Sequence, residues 1–232
     1  MIDRSLNYGR AHIKSFLESV SPYGSLLDIG AGTGVDLAIA KQVCPKARFF
    51  GLEVHAPYSE NLRSKGWTVY SVNIERDPFP FDDESIEVVM GNQVLEHVKE
   101  IFWIFHQISR VLKVGGHLIL GVPNLASLHN RILLLLGRQP TSITVQSAHI
   151  RGYTKSGLLS FLEEAGNGLY SLKKFKGANF YPFPPVLARP LAALCPGMAW
   201  GNFFLFRKTR PYKNEFIDFA SPGRLESNFF LG

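Results

Sequence analysis

The stretch Leu26-Leu27-Asp28-Ile29-Gly30-Ala31-Gly32-Thr33-Gly34 sets one acid against three glycines at the end of an apolar run. Leu26, Leu27 and Ile29 suit a strand buried on both faces of a parallel sheet. The glycines let the backbone turn tightly and approach a ligand with no Cβ in the way. An acid at such a strand end is costly unless hydrogen bonds are donated to it, and a ligand amine would donate them. A second acid, Glu53, ends the run Ala47-Arg48-Phe49-Phe50-Gly51-Leu52-Glu53. It lies about 20 residues past the turn, where a ribose-binding carboxylate belongs. A dinucleotide would want Gly-x-Gly-x-x-Gly/Ala, with its pyrophosphate on the helix N-terminus. Here the third glycine, Gly34, comes one residue early and Val35 fills the fingerprint position.

These residues need a strand–turn–helix unit repeated along the chain. A helix over 35–43 follows the glycine turn, and residues 47–53 read as the second strand. A third strand is expected over 67–75, then a proline-broken turn through Pro78 and Pro80 into a fourth strand ending at Gly91-Asn92-Gln93-Val94-Leu95-Glu96-His97-Val98. A helix, the turn at Gly115-Gly116 and a fifth strand complete the first half. Beyond Pro123-Asn124 the chain offers a very apolar helix within 125–137, stopped by Gly137, and a polar stretch over 138–148. Thr154 makes a sensible N-cap for a helix over 155–165, whose Leu158, Leu159 and Leu162 form an apolar face. Residues 169–176 and 202–208 read as the last two strands. The proline- and aromatic-rich segment 177–201 between them reads as a long loop, either of the lid or binding type or packed on the 132–136 helix segment as a small apolar cap.

Taken in order, Asp28 with Gly30, Gly32 and Gly34, the acid Glu53, the "DPFPFDDESIEVV" segment, "VLEHV" and "RVLKVGG" resemble the motifs of class I S-adenosylmethionine-dependent methyltransferases. The resemblance implies a Rossmann-like α/β fold: a seven-stranded, mostly parallel sheet flanked by helices, with an antiparallel last strand and a lid inserted after strand five. It implies S-adenosyl-L-methionine as cofactor, held by Asp28, Gly30, Ala31, Gly32, Gly34, Glu53, Asn73, Ile74, Asn92 and Gln93. The acid that faces the adenine amino group in that family is replaced here by Asn73, with Glu75 two residues on, and either could accept from it. The run His149-Ile150-Arg151-Gly152-Tyr153-Thr154 resembles the end of the lid in a subgroup where the insertion roofs the active site.

Length and pattern suggest one methyltransferase domain over 1–214, with lid elements near 123–153 and 177–201, and a tail over 215–232. No charged-then-apolar leader and no run near the roughly 18 apolar residues of a membrane span are evident, so a cytoplasmic enzyme is expected. Cys44 and Cys195 lie far apart with no paired spacing, which suggests neither a zinc site nor a disulfide framework. The net charge of +6 is local: residues 151–214 carry 10 Lys/Arg against 2 Asp/Glu, whereas 1–150 carry 14 of each. That basic third could face phosphates, an anionic substrate or an acidic membrane surface, or be a solvated face with no partner.

Methyl transfer to a hydroxyl needs a base, and histidine titrates in the useful range. His97, following strand four, is the first candidate, and His149, at the return of the lid, the second. Arg131, Arg138 and Arg151 could hold an anionic part of the acceptor through forked hydrogen bonds, with Tyr153 beside them. The motif set resembles the small-molecule branch used in quinone, glycan and natural-product pathways. It implies a small-molecule or lipid- or glycan-linked acceptor, methylated at oxygen, with peripheral membrane contact allowed. RNA or protein methylation is the alternative, though nucleic acid is not favoured: the fourth strand ends in Gly91-Asn92-Gln93-Val94, not an Asn-Pro-Pro-Tyr type tetrapeptide. A cofactor-binding but catalytically silent subunit is the third reading.

Overall fold

The computed structural model describes residues 3–221. Seven strands form one sheet in the order β3-β2-β1-β4-β5-β7-β6: β1 (Ser25–Ile29), β2 (Arg48–Leu52), β3 (Thr68–Tyr70), β4 (Ile86–Asn92), β5 (Leu112–Pro123), β6 (Tyr170–Ala178) and β7 (Gly201–Lys208). The pairs β3·β2, β2·β1, β1·β4 and β4·β5 are parallel, and β7 runs antiparallel to both β5 and β6. Strand order reverses between β1 and β4, so the crevice beyond their carboxyl ends is the topological binding position of such sheets.

Helices cover both faces. On one side pack α1 (Arg10–Val20), α2 (Val35–Val43) and α3 (Ala56–Ser64), through Ile13, Phe16, Leu17, Leu37, Ala40 and Leu62. On the other side α4 (Ile101–Val111) and α6 (Lys155–Glu164) bury Ile104, Phe105, Ile108, Leu158 and Leu162. All five residues of β1 are buried, as a central parallel strand requires. Among the described residues, no helix is long and apolar enough to cross a membrane.

Two local expectations are corrected, and part of the tail is seen to dock. The third strand stops at Tyr70 instead of Glu75, because it is the sheet edge and its one neighbour ends at Leu52, opposite Tyr70. The chain then turns at Asn73, whose Oδ1 accepts from the Glu75 N–H and whose own N–H donates to Asp77 Oδ2. The 177–201 segment is no structureless loop: it contains α7 (Pro185–Leu194), since proline is tolerated in a helix's first turn. With α5 (Leu128–Leu135), α7 forms a small core of Phe180, Ala188, Ala192 and Ala199 against Leu128, Phe183 and Leu191. Past 214, α8 (Glu215–Phe219) docks Phe216, fully buried, against Phe105 and Phe161. Residues 222–232 of the expected tail lie outside the described residues.

The basic third also resolves into structure. Lys173, Lys174 and Lys176 are exposed on β6, the other sheet edge, where lysines discourage pairing with a second chain. Lys208 is fully buried, bonded to Glu84 and to the carbonyls of Ser109 and Leu112. Arg210 binds Glu215 and the carbonyls of Gly166 and Asn167.

Candidate active site

The turn after β1 has Gly30, Gly32 and Gly34 at φ of +68°, +52° and +80°, the left-handed region that disfavours any Cβ. A Cβ on Gly34 would also lie 2.4 Å from Leu62 Cδ2. Gly32 is different: a Cβ there meets nothing nearer than 3.9 Å, so its surroundings are open on the ligand side of the turn. The donors of the turn point inward. Gly30 and Ala31 N–H bond to Leu52 O, Gly34 N–H to Ala31 O, and Gly32 N–H to Glu53 Oε2 at 2.8 Å.

Three carboxylates surround this turn. Asp28 is buried, and its carboxyl is held well above the usual range, first by burial and then by Asp36 and Glu53. Glu53 is buried as well and also accepts from His55 N–H. Asp36, in the first turn of α2, binds Arg10 at 3.2 Å and the Asn92 amide at 2.9 Å. A turn with four N–H groups already engaged and three acids beside it is hostile to a pyrophosphate, which needs free donors and positive potential. It suits a cationic ligand with a ribose. S-adenosylmethionine has an ammonium, a sulfonium and ribose hydroxyls, and its ammonium would relieve the crowding that raises Asp28.

The other expected contacts divide. Asn92 carries a buried Oδ1 with no partner, and Gln93, held at φ +58°, has a buried and unpartnered Nε2. A non-glycine residue in that region costs about 1–3 kcal/mol and persists where the fold over-determines it. A Cβ on Gly121 would lie 2.3 Å from Asn92 Oδ1, so this strand neighbour must be glycine. Of the two candidates near the adenine position, Glu75 gives its Oε1 to the Lys99 and Glu100 N–H groups at the entry to α4. Asn73 uses its Oδ1 locally, leaving its amide group as the donor, and Ile74 packs on the main core.

Just past the same carboxyl end of β4, the short helical turn Leu95–His97 meets the returning lid. Ile150 and Arg151 N–H donate to Glu96 O at 2.8 and 3.2 Å, and Tyr153 Oη donates to Leu95 O at 3.1 Å. Arg151 bonds to the carbonyls of Val98 and Lys99. These contacts bring His97 and His149 together, their rings 4.6 Å apart at 77°. His97 Nδ1 lies 3.3 Å from Ala148 O, and His149 Nδ1 lies 2.7 Å from Ser142 O. Burial, and then His149, lowers the His97 pKa.

The residues expected to face substrate also have internal partners. Tyr153 is buried in the main core with its hydroxyl on Leu95 O, where it straps the lid, and burial raises its pKa. Arg151 grips the loop after Leu95–His97, and the Arg131 Nε is bonded to Ala126 O. Outward on the lid, Leu134, Leu135, Leu136, Val186 and Leu194 are exposed.

Sequence reasoning passed over Asp36, Glu96, Asn124 and Asn202. Asp36 had a signal, an acid two residues past the last glycine of the turn. Asn202 opens an apolar strand, fully buried with both amide atoms unpartnered, at the sheet end where β4 and β5 finish. Asn124 is a buried hub whose amide bonds the carbonyls of Gly197 and Ala199, joining the lid's two halves.

Comparison with known proteins agrees with this geometry. Residues 27–120 match a methyltransferase domain family. The chain is 33% identical over 95 residues to a demethylmenaquinone methyltransferase of Roseiflexus castenholzii, covering 40% of each. A structure described as a methyltransferase of Thermotoga maritima, possibly acting on histamine nitrogen, superposes with a TM-score of 0.61 at 20% identity, covering 88% of this chain and 91% of that one. The [4+2]-cyclase SpnF shares the fold at a TM-score of 0.60 and 17% identity, covering 86% of this chain and 81% of that one. The chain spans only about a third of the length of the first curated relatives it matches. Residues 27–120 thus match a methyltransferase domain, within a chain that has the Rossmann-like fold of S-adenosylmethionine-dependent methyltransferases.

Proposed function

We propose that this chain transfers the methyl group of S-adenosylmethionine to an oxygen of a small-molecule or lipid- or glycan-linked acceptor. The observation that carries the reading is the trio Asp28, Asp36 and Glu53 around a glycine turn whose donors are already engaged. Asp28 receives the cofactor's ammonium, Glu53 its ribose hydroxyls, and Asn73 with Ile74 flanks its adenine, while Asn92 and Gln93 offer it unpartnered polar atoms. Bound there, the cofactor supplies a methyl group on a positively charged sulfur.

The protein's task is then to hold nucleophile and methyl group at near-attack distance in a site closed to water. The acceptor oxygen would take up that methyl group, the electron pair of the carbon–sulfur bond staying with sulfur. The acceptor proton passes to His97. A carbonyl only accepts, so His97 Nδ1 donates to Ala148 O and Nε2 holds the lone pair. The exposed leucines of the lid support an acceptor with an apolar part, and the relative named for a quinone acceptor points the same way. The basic residues do not call for RNA, since edge-strand and buried ion-pair roles account for much of that charge.

Because a cyclase shares the fold, transfer has to be measured directly. Purified protein, labelled S-adenosylmethionine and fractionated cell extract should put label in lipids or small metabolites. Label in RNA or protein, or tight cofactor binding with no transfer, would overturn the proposal.

A further inference from the structure

We propose that Glu96, His97 and His149 bind a divalent first-row transition metal, zinc(II) being the best match. One potential ligand atom from each of the three lies within 4.8 Å of the others. Two imidazoles and one carboxylate are a common donor set for zinc and non-haem iron, whereas magnesium and calcium prefer oxygen alone. With metal–ligand bonds of about 2.0–2.2 Å, tetrahedral donors sit about 3.3 Å apart. Closing by up to about 1.5 Å is within reach of side-chain rotation at exposed His97 and half-buried His149.

The second observation is Glu96 itself. It is 1% exposed, and neither carboxylate oxygen has a hydrogen-bond partner. A buried carboxyl with no partner beyond its own residue's backbone is expensive, and native proteins keep such groups for a reason. The nearest strap donors are directed elsewhere: Tyr153 Oη to Leu95 O, and the Ile150 and Arg151 N–H groups to the backbone oxygen of Glu96, not its side chain. A cation between the carboxylate and the two rings would satisfy it.

The surroundings are those of a metal centre. Each imidazole donates Nδ1–H to a backbone carbonyl, Ala148 O for His97 and Ser142 O for His149. Such second-layer bonds fix ring orientation and tautomer in metal-ligating histidines. Three protein ligands leave a coordination position open, as catalytic zinc sites do. In a deepening that rests on the methyl-transfer reading, an acceptor hydroxyl would enter that position. Its proton would then be lost to solvent before transfer, so His97 would be a ligand with metal bound and the base only in the metal-free site.

The test uses chelator-treated full-length protein titrated with zinc chloride by calorimetry, and with cobalt(II) followed by visible absorption. One zinc per chain at micromolar affinity or better is expected, with a cobalt spectrum of low coordination number. Glu96→Gln and His149→Ala should each weaken zinc by at least about 100-fold. S-adenosylhomocysteine affinity should stay within about twofold in both variants, as for independent sites. His149→Ala keeps the test valid should Glu96→Gln not fold. No zinc binding by the wild type, or undiminished binding in His149→Ala, overturns the site and leaves the methyl-transfer reading intact. A wild type that binds zinc but not S-adenosylhomocysteine would overturn that reading and leave the metal site standing.

Discussion

The glycine turn and the lid return sit at neighbouring strand ends yet are finished to different degrees. Around Gly30–Gly34 four N–H groups have internal acceptors, and what the region has in excess is negative charge. Around Leu95–His97 the backbone is strapped by the lid, while side chains are short of partners: neither Glu96 carboxylate oxygen has one, and Gln93, just before, keeps a bare buried Nε2. In the proposed reading the first region receives a cation, its own N–H donors being engaged already. The second has its backbone strapped and buried polar side chains unpaired, an arrangement that a ligand's own groups would complete.

The sharpest way to break this contrast is at Asp28. Asp28→Asn leaves the ligand ammonium buried without its counter-charge, at a cost of about 3 kcal/mol or more, so S-adenosylhomocysteine affinity should fall by about 10²-fold or more. Calorimetry with an unchanged affinity would move the cofactor away from the glycine turn. On the lid side, His97→Ala should cut turnover by about 10²-fold while leaving cofactor affinity unchanged. A variant at full rate would remove His97 from the chemistry.

A gentler probe reads the excess charge directly. In the apo-protein Asp28 holds a proton over a pH range where the unfolded chain, with a carboxyl near 3.8, has lost it. Stability is therefore full below that value and falls as pH rises toward the raised folded pKa, by at most about 1.4 kcal/mol per pH unit. Urea titrations across pH should detect this slope, and Asp28→Asn should reduce it to the part that buried Glu96 contributes. Saturating S-adenosylhomocysteine should shrink it too, because a bound ammonium favours the carboxylate. A slope identical in wild type and variant would mean that Asp28 is not the strained acid.

The same contrast explains what could be read from the chain. The cofactor side is local in sequence: a strand, a glycine turn and an acid at fixed spacing, each demanded by backbone geometry, so Asp28, Gly30–Gly34 and Glu53 were legible. The lid side is not. Glu96 and His149 are 53 positions apart, and nothing in either segment says that Ile150 and Arg151 will bond to the Glu96 carbonyl. Tyr153 looked like a substrate contact because a tyrosine beside arginines often is one, and only packing revealed its hydroxyl as a strap. The Pro-rich 177–201 segment misled for a similar reason: Pro185 can open a helix as readily as break one, and the choice is made by Ala188 and Ala192 packing against Phe180 and Leu128.

The smallest expected effect tests whether the straps matter in themselves. Tyr153→Phe removes one hydroxyl and keeps the ring in the core, so the loss is the bond to Leu95 O and the unmet need of that carbonyl, about 1–2 kcal/mol. S-adenosylhomocysteine affinity should be untouched, since the change lies on the lid. If the strap holds Glu96, His97 and His149 in register, the KM for acceptor should rise by severalfold with kcat nearly constant. If stability falls but KM does not, the backbone bonds from Ile150 and Arg151 to Glu96 position the histidines unaided, and Tyr153 serves the core alone.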